Sequence, residues 1–579
     1  MTGRGFARVA AHVVLLLLIP ASALADAIVV TRAMKASTIA EVFIGEDSIR
    51  VELEIGYDDI DAFRNLAPDP VYEQLGYDPE PLATRISRFP LEDWVMLADG
   101  VPLIGAVTAM RLRPRLERDE ITGAPIPVPE DSAEVVLYAE LSYPLPGRPS
   151  ELSIRPPRGR QPANVGFVVY HHGIPVNDFR YLSMEVTAHL DWDDPFYSRF
   201  ESRNLRRRYD APLSVFLYID HFEVRKEVVA RPMDLQRWVD LGIAGLDTIP
   251  VDMQEELKAR VVAFLTVNTP MTVNGRPVEP ALDRIHFIRR TLRRTGVIDP
   301  PEPVALHEAT LGVIFVASVD SLPDQATVAW PFFDERITYV PAVSTDEAGG
   351  LPTRLTPGDS ILVWQNYLTN PSRPVLAAVD APGGGSIPLP LISVVLVGVL
   401  LTGVITRRPR RHRAAILSVL LVAAVATLPL ARVEVPVPFG SGVPSEAESG
   451  QVVGALLTNV YRSFDYRQEE RIYDTLSRSA SGDLLTRIYL ETRQALELQS
   501  QGGARVKVKE VVIDAAVPEG LDGRRGFRAT CSWQVAGNVG HWGHIHTRVN
   551  RYDAVITIEP VDGVWKITDI EVIEEKRVS

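Results

Sequence analysis

The densest group of residues that could do chemistry is a histidine cluster near the carboxyl end, His541-Trp542-Gly543-His544-Ile545-His546-Thr547-Arg548. Three of the chain's 11 histidines fall within six residues of this segment. Side chains two residues apart share a face of a β-strand, so His544 and His546 are expected to point the same way. Such an imidazole pair is a workable start for a Zn²⁺ or Cu²⁺ site. The predicted metal ligands are therefore His541, His544 and His546, with Asp553 or Asp514 as an alternative third ligand.

Two other interpretations of the histidine cluster stay open. In the first, the row forms the polar wall of a ligand pocket, where imidazoles exchange protons near neutral pH and an arginine pairs with an anion. The candidate pocket residues are His544, His546, Arg548, Asn550 and Trp533. In the second, the row is an ordinary strand face that meets solvent or a neighbouring β domain.

The rest of the sequence indicates binding surface more than catalysis. It contains no nucleophile elbow, phosphate loop, His-Glu-x-x-His motif or dinucleotide fingerprint. His171 and His172 are adjacent, so on a strand they point to opposite faces and rarely chelate one ion together. The run Arg206-Arg207-Arg208 is typical of a solvated surface or a contact between domains, with a phosphate site as the alternative.

Composition limits the class of protein. The 579 residues allow several domains, and a hydrophobic content of 46% supports real cores. The net charge of −14 disfavours a nucleic-acid partner. The single cysteine, Cys531, allows neither an intrachain disulfide nor a cysteine-based metal site.

An internal duplication is predicted in the first two thirds of the chain. A shift of 175 residues carries 85–102 onto 260–277, with the turn pair Asp99-Gly100 on Asn274-Gly275 and 152–156 on 327–331. Asp/Asn-Gly pairs supply the positive φ angles that a tight hairpin needs. Short alternating strands punctuated by Pro and Gly predict a β-sandwich in each copy, and the period of 252–265 predicts a helix before the second turn.

Hydropathy predicts two membrane spans, 387–406 and 414–431, joined by a short basic loop. The loop arginines are Arg407, Arg408, Arg410, Arg411 and Arg413. Basic residues in short loops stay in the cytoplasm, so both flanking regions would be exported. A positive start, an apolar stretch and a small-residue cleavage site predict a signal peptide over 1–25. Together these features predict a bacterial inner-membrane protein with its N- and C-terminal domains in the periplasm.

The C-terminal region, 445–579, shows helical period first and strand period later, and it ends in the hairpin sequence Asp562-Gly563-Val564-Trp565-Lys566-Ile567. Three helices followed by a curved antiparallel sheet with such a terminal strand resemble the NTF2-like superfamily, which includes the SnoaL-like proteins. The resemblance implies a cone-shaped pocket. It does not imply one function, because the superfamily holds both enzymes and non-catalytic binding or assembly modules.

The predicted fold class is multidomain, with two tandem β-sandwich-like domains, a transmembrane helix pair and a C-terminal α+β domain. The predicted segments are a signal peptide 1–25, a β domain 26–197, a linker 198–212, a second β domain 213–370, a linker 371–386, spans 387–406 and 414–431 around the loop 407–413, a linker 432–444 and the NTF2-like domain 445–579. The predicted function is a membrane-anchored envelope protein that binds a protein partner, or another copy of itself, without catalysis. The alternative is a periplasmic metal-binding protein or SnoaL-like enzyme that uses the histidine row.

Overall fold

A computed structural model describes residues 31–115, 134–290, 295–371, 376, 378–381, 386–390, 395–399, 418–423, 425, 432–436, 443–500, 506–522, 524–541 and 544–578. For 386–390, 432–436, 492–500, 506–507, 538–541 and 544–548 the description covers the backbone alone. The predicted signal peptide, 1–25, lies outside the described residues.

The described part of the first β domain contains two sheets that share one hydrophobic core. Their strands are β1 (Thr38–Ile44), β2 (Ser48–Ile55), β3 (Val95–Ala98), β4 (Val101–Pro102), β5 (Ala106–Pro114), β6 (Val135–Pro144), β7 (Glu151–Arg155), β8 (Val165–His171), β9 (Ile174–Pro175), β10 (Arg180–Tyr181), β11 (Val186–His189) and β12 (Arg199–Phe200). The helices are α1 (Asp69–Gln74) and α2 (Leu82–Glu92). One sheet runs β10-β8-β1-β2-β6-β5 and the other β12-β11-β7-β3-β4. Alternating side chains of both sheets meet in the core, as in a sandwich.

The second β domain repeats this plan. Its strands are β13 (Leu213–Ile219), β14 (Glu223–Ala230), β15 (Thr248–Ile249), β16 (Met271–Val273), β17 (Arg276–Val278), β18 (Ala281–Arg290), β19 (Thr295–Val297), β20 (Val304–Ala305), β21 (Leu311–Ser318), β22 (Gln325–Ala329), β23 (Val340–Asp346), β24 (Gly349–Leu355) and β25 (Ile361–Gln365). The helices are α3 (Pro232–Leu235) and α4 (Val251–Asn268). The larger sheet runs β19-β18-β21-β14-β13-β23-β24, and the smaller one runs β17-β16-β22-β25.

The two β domains share their strand pairing as well as their strand order. β1 pairs in parallel with β8, and β13 pairs in parallel with β23. Asp99 and Asn274 both have positive φ and are followed by a glycine with positive φ. The Oδ1 atom of each accepts hydrogen bonds from two consecutive backbone N–H groups of the neighbouring strand. The same turn therefore closes the same hairpin in both domains.

The register of the next strand differs by one residue from the sequence alignment. Met96 pairs with Ile154, and the equivalent Met271 pairs with Val328. The true shift in this strand is therefore 174 and not 175, because the connecting loops of the two domains differ in length. This difference of one residue is important, because a slip of one residue in register moves every side chain of a strand to the opposite face.

The predicted transmembrane hairpin is wrong. Within the described residues, no helix is long and apolar enough to span a membrane. The first predicted span instead begins in a strand, because β26 (Ser386–Pro390) pairs antiparallel with β27 (Arg432–Pro436). A hydropathy window counts apolar residues and does not distinguish a strand from a helix, which is why 387–390 was included. The two-span inner-membrane location and the bilayer as a partner lose their basis. The five loop arginines, Arg407 to Arg413, lie outside the described residues.

The C-terminal domain contains, in its described part, three helices followed by one antiparallel sheet. The helices are α5 (Glu446–Arg462), α6 (Glu469–Ser477) and α7 (Gly482–Ser500), and the strands are β28 (Val506–Gly520), β29 (Phe527–His541), β30 (His544–Val561) and β31 (Val564–Arg577). The sheet order is β28-β29-β30-β31. α5 starts with a capping box between Ser445 and Glu448. The last hairpin turns at Asp562 and Gly563, both with positive φ.

A short segment from before the predicted spans belongs to this C-terminal sheet. The N–H of Trp565 donates to the carbonyl of Val379 at 2.7 Å, and the N–H of Ala381 donates to the carbonyl of Gly563 at 3.0 Å. Val379 also packs against the C-terminal core. Residues 379–381, which precede the C-terminal domain in sequence, therefore contact this domain.

The two β domains meet through a buried charge network centred on Arg231. Its guanidinium donates to both carboxylate oxygens of Asp194, each at 3.0 Å, and to Asp234 at 2.8 Å. It also donates to the carbonyl of His307 at 3.1 Å. All three charged residues are buried. One cation therefore neutralises two carboxylates, one from each β domain.

The C-terminal domain docks on the second β domain through Arg467. Its Nε donates to Glu223 at 2.8 Å, and its Nη1 donates to Asp283. Both carboxylates are almost fully covered. Burial acts to raise the pKa of Asp283, but Arg284 and Arg467 outweigh it and lower that pKa to about 2. Tyr466 adds an aromatic contact to Phe222, with ring centroids 4.6 Å apart.

Candidate functional site

The backbone places the predicted histidine cluster at one end of a long hairpin. β29 ends at His541 and β30 begins at His544, and these two residues face each other across the turn. His546 pairs with Val539 on the same ladder. The side chains of His541, His544, His546 and Arg548 lie outside the described residues. The metal site and the polar pocket therefore both stay predictions.

The other two pocket candidates, Trp533 and Asn550, lie in one interior network. Trp533 is buried, stacks on Tyr552 with centroids 5.4 Å apart, and donates its indole N–H to the Tyr461 hydroxyl at 3.3 Å. The Asn550 amide donates to Tyr552 at 3.1 Å and to Glu575 Oε1 at 2.9 Å. Trp533 serves mainly as core, because its ring is covered and its only polar atom is satisfied.

Glu491 is a partly buried acid that was not predicted. It lies on α7 three residues after Ile488 and seven after Leu484, so it shares the core-facing side of the helix with these buried residues. Its Oε2 atom is buried and has no hydrogen-bond partner in the described part of the chain. Burial raises the pKa of Glu491 to about 7, although Arg487 acts in the opposite direction. The spacing of Glu491 from Leu484 and Ile488 matches the helical period, so the sequence could have predicted that this acid lies on the core-facing side of the helix.

We expect Glu491→Gln to remove a pH dependence of stability. The folded state holds the Glu491 proton more tightly than the unfolded state, so its contribution is fully present below pH 4.5 and is lost as the pH rises to about 7. The full shift corresponds to about 3 kcal/mol, and solvent screening of this partly exposed group reduces it to about 1–2 kcal/mol. Urea unfolding at pH 5 and pH 8 measures the difference.

The control for this change is the exposed Glu519, whose replacement by Gln should leave the pH slope as it is in the wild type. Glu491→Gln should be more stable than the wild type at pH 8 and should match it more closely at pH 5. An unchanged slope in Glu491→Gln would show that the carboxyl is solvated.

His171 and His172 have different environments. The Nδ1 atom of the buried His171 lies 2.7 Å from the Ser198 hydroxyl. Burial, reinforced by the charge of His172, lowers the pKa of His171 to about 4. The Nε2 atom of His172 instead lies 3.4 Å from Glu46. His171 is therefore a neutral core residue at physiological pH.

A cleft opens where the two β domains meet, and it has a strong positive bias. Its cavity volume is about 110 Å³, and it is open to solvent. Its lining includes four arginines and a single acid among the described residues: Arg199, Arg206, Arg207, Arg336 and Asp210. The whole chain carries a net charge of −14, so the positive charge of this cleft is opposite in sign to the net charge of the protein.

Two of the cleft arginines are fixed by hydrogen bonds to backbone carbonyls of the first β domain. Arg207 donates to the Pro175 carbonyl at 2.8 Å, and its guanidinium lies 4.0 Å from the centre of the Phe196 ring. Burial lowers the pKa of Arg207 to about 10, with Arg231 acting in the same direction, so it remains a cation at neutral pH. Arg206 donates its Nε–H to the Phe200 carbonyl at 3.2 Å.

The other two cleft arginines are exposed and available to a ligand. Arg199 has no hydrogen-bond or ion-pair partner in the described part of the chain. Arg336 makes one ion pair, to Asp191 at 3.2 Å. The acid of the cleft, Asp210, accepts a hydrogen bond from the Tyr339 hydroxyl at 3.2 Å. The arrangement can bind carboxylate or phosphate oxygens.

Comparison with known protein families finds no family that matches this chain, and no curated protein matches its sequence. Functional assignment therefore depends on the geometry of the sites.

Proposed function

We propose that this protein is a non-enzymatic binding or assembly protein that holds an acidic segment of a protein partner in the cleft between its β domains. The supporting observation is the cleft lining, with four arginines against one acid. Arginine presents a planar fork of donors that matches carboxylate geometry, and it is enriched at protein interfaces.

The geometry of the cleft favours recognition because its walls are set before a partner arrives. Arg207 is held by its hydrogen bond to the Pro175 carbonyl and by its contact with the Phe196 ring, so it loses little freedom on binding. Arg199 and Arg336 lie at the open side, where they can pair with side-chain carboxylates of an approaching chain. Steering by such charges raises the association rate and depends on salt.

We expect the double variant Arg199→Ala/Arg336→Ala to bind acidic polypeptide about tenfold more weakly than the wild type. Each exposed arginine–carboxylate pair contributes up to about 1 kcal/mol, and two together correspond to a change of that order. The probe is fluorescently labelled poly-L-glutamate, and fluorescence anisotropy measures its affinity for the full chain. Inorganic pyrophosphate forms a second arm that detects a preference for small anions.

The matched control is Arg203→Ala. Arg203 is exposed and lies in the same segment as the cleft residues Arg206 and Arg207, but it does not line the cleft. The control variant should bind poly-L-glutamate as the wild type does. Equal losses in the control and the double variant would show non-specific attraction. Tight binding of pyrophosphate without binding of poly-L-glutamate would show that the cleft binds a small anion and not an acidic protein segment.

The C-terminal domain carries a second candidate function. We propose that it is an NTF2-like module, a proposal supported by three helices that precede an antiparallel sheet and by an interior lined with aromatic and polar side chains. Glu491 favours an acid–base role for this interior, because a carboxyl group with a pKa of about 7 exchanges protons near neutral pH. Metal analysis of the full chain, with and without His544→Ala and His546→Ala, tests whether this domain binds a metal ion through the predicted histidine row.

A further inference from the structure

A histidine lies between two carboxylates on one sheet of the first β domain. The Nδ1 atom of His189 is 3.4 Å from Glu151 Oε1, and its Nε2 atom is 3.4 Å from Glu201 Oε1. One ligand atom from each of the three residues lies within 4.8 Å of the other two. The residues come from β7, from β11 and from the position directly after β12, so three neighbouring strands meet at this point.

The strand alternation fixes the direction of these side chains. Leu152, Ala188 and Phe200 each adjoin one of the three residues and are buried in the core. Because successive side chains of a strand point to opposite faces, the three potential ligands point away from the core. Glu151 and His189 are also directly paired across the ladder, where side chains are in contact distance. The cluster is therefore a property of the sheet and not of one loop.

The second β domain offers an internal comparison at the same positions. The N–H of Asp99 donates to the carbonyl of Glu151, and the N–H of the equivalent Asn274 donates to the carbonyl of Gln325. Gln325 pairs with Gln365 across the ladder, as Glu151 pairs with His189. The two glutamine side chains are 3.3 Å apart and hydrogen-bonded. The backbone pairing is shared, and the first domain carries a carboxylate and an imidazole where the second carries a neutral amide pair.

We propose that Glu151, His189 and Glu201 form a surface site for a divalent transition metal of the zinc type. Imidazole nitrogen and carboxylate oxygen are common zinc ligands at about 2.0–2.2 Å, so two of them on a tetrahedral ion lie roughly 3.4 Å apart. Each carboxylate lies at this distance from a different ring nitrogen of His189, and one ligand atom of each residue lies within 4.8 Å of the other two. About half of each side chain is exposed, so small rotations can bring both carboxylates to one ring nitrogen and leave a position for water.

The local charge is compatible with a cation. Arg199 pairs with His189 across the ladder and brings one positive charge to the same face. The two carboxylates exceed it by one negative charge, so the group attracts a cation. This site is separate from the predicted histidine row in the C-terminal domain, and its neighbour Arg199 also lines the cleft.

The experiment is a titration of the full metal-free chain with Zn²⁺, followed by isothermal calorimetry and by metal analysis after gel filtration. The decisive variant is Glu151→Gln/His189→Gln, which installs the pair that the second domain already carries at these positions. The fold tolerates that pair in the same register, so the variant should fold. We expect its affinity for Zn²⁺ at this site to fall at least tenfold, with a loss of one bound ion per chain.

The variant His544→Ala/His546→Ala separates this site from the C-terminal histidines, and it should keep the ion that Glu151→Gln/His189→Gln loses. The thermal unfolding temperature of the first domain should rise with Zn²⁺ in the wild type and not in Glu151→Gln/His189→Gln. Zinc binding that is unchanged by Glu151→Gln/His189→Gln, or no bound ion in the wild type, would overturn the proposal.

Discussion

We expect Arg231→Met to destabilise the pair of β domains by about 3–5 kcal/mol, the largest effect of any substitution considered for this protein. The methionine keeps most of the side-chain volume but removes the only cation that contacts both Asp194 and Asp234 in the described structure. Two buried carboxylates are then left without their charge partner. Urea unfolding monitored by tryptophan fluorescence measures the loss.

Two comparisons decide whether the charge network is the cause. Arg231→Met combined with Asp194→Asn and Asp234→Asn removes the uncompensated charges and should recover at least half of the lost stability. Arg260→Met changes an exposed pair with Glu256 and should cost less than about 1 kcal/mol. A loss below 1 kcal/mol in Arg231→Met itself would contradict the prediction.

The second large effect is expected for Arg467→Met, which should weaken the docking of the C-terminal domain on the second β domain by about 2–3 kcal/mol. The substitution leaves Glu223 and Asp283 covered without the cation from the other side of the interface. Urea unfolding at pH 7 should show the C-terminal domain unfolding separately at lower denaturant. The neighbouring Arg471→Met is the matched control, because its pair with Asp320 is exposed and should contribute little.

The pH dependence gives an independent measurement of the same interface. The pKa of Asp283 is lowered from 3.8 to about 2 in the folded protein, so its stabilising contribution is present above pH 3.8 and is lost as the pH falls to about 2. The shift corresponds to about 2 kcal/mol. Arg467→Met should flatten this acid limb, because only Arg284 would then still lower the pKa. An acid limb identical to that of the wild type would contradict the role of Arg467.

Local turn chemistry could be predicted from the sequence because it is encoded in adjacent residues. The Asp99-Gly100 and Asn274-Gly275 pairs revealed a common hairpin through their need for positive φ. The helix α4 and the capping box of Ser445 were likewise readable from short spacings. The register between the repeats was wrong by one residue because it depends on loop length and not on local propensity.

The charged contacts between domains could not be predicted, because their partners are distant in sequence. Arg231 and Asp194 are 37 residues apart, and Arg467 and Glu223 are 244 residues apart. Nothing in the neighbourhood of either arginine indicates burial. The arginine cleft was only partly foreseen, since the run Arg206-Arg207-Arg208 indicated a domain contact, but Arg199 and Arg336 join it only in three dimensions. The membrane prediction failed for the same reason, because the pairing of Ser386–Pro390 with Arg432–Pro436 joins residues that a local window never compares.

The backbone pairing of Val379 and Ala381 with the final hairpin changes how the chain should be divided. A fragment that begins at Ser445 lacks these residues and leaves the start of β31 without its neighbour. The C-terminal domain therefore includes residues from two separate parts of the chain, 379–381 and 443–578. Truncating the chain at Ser445 therefore removes two backbone hydrogen bonds to the last hairpin and the apolar contact of Val379 with the C-terminal core.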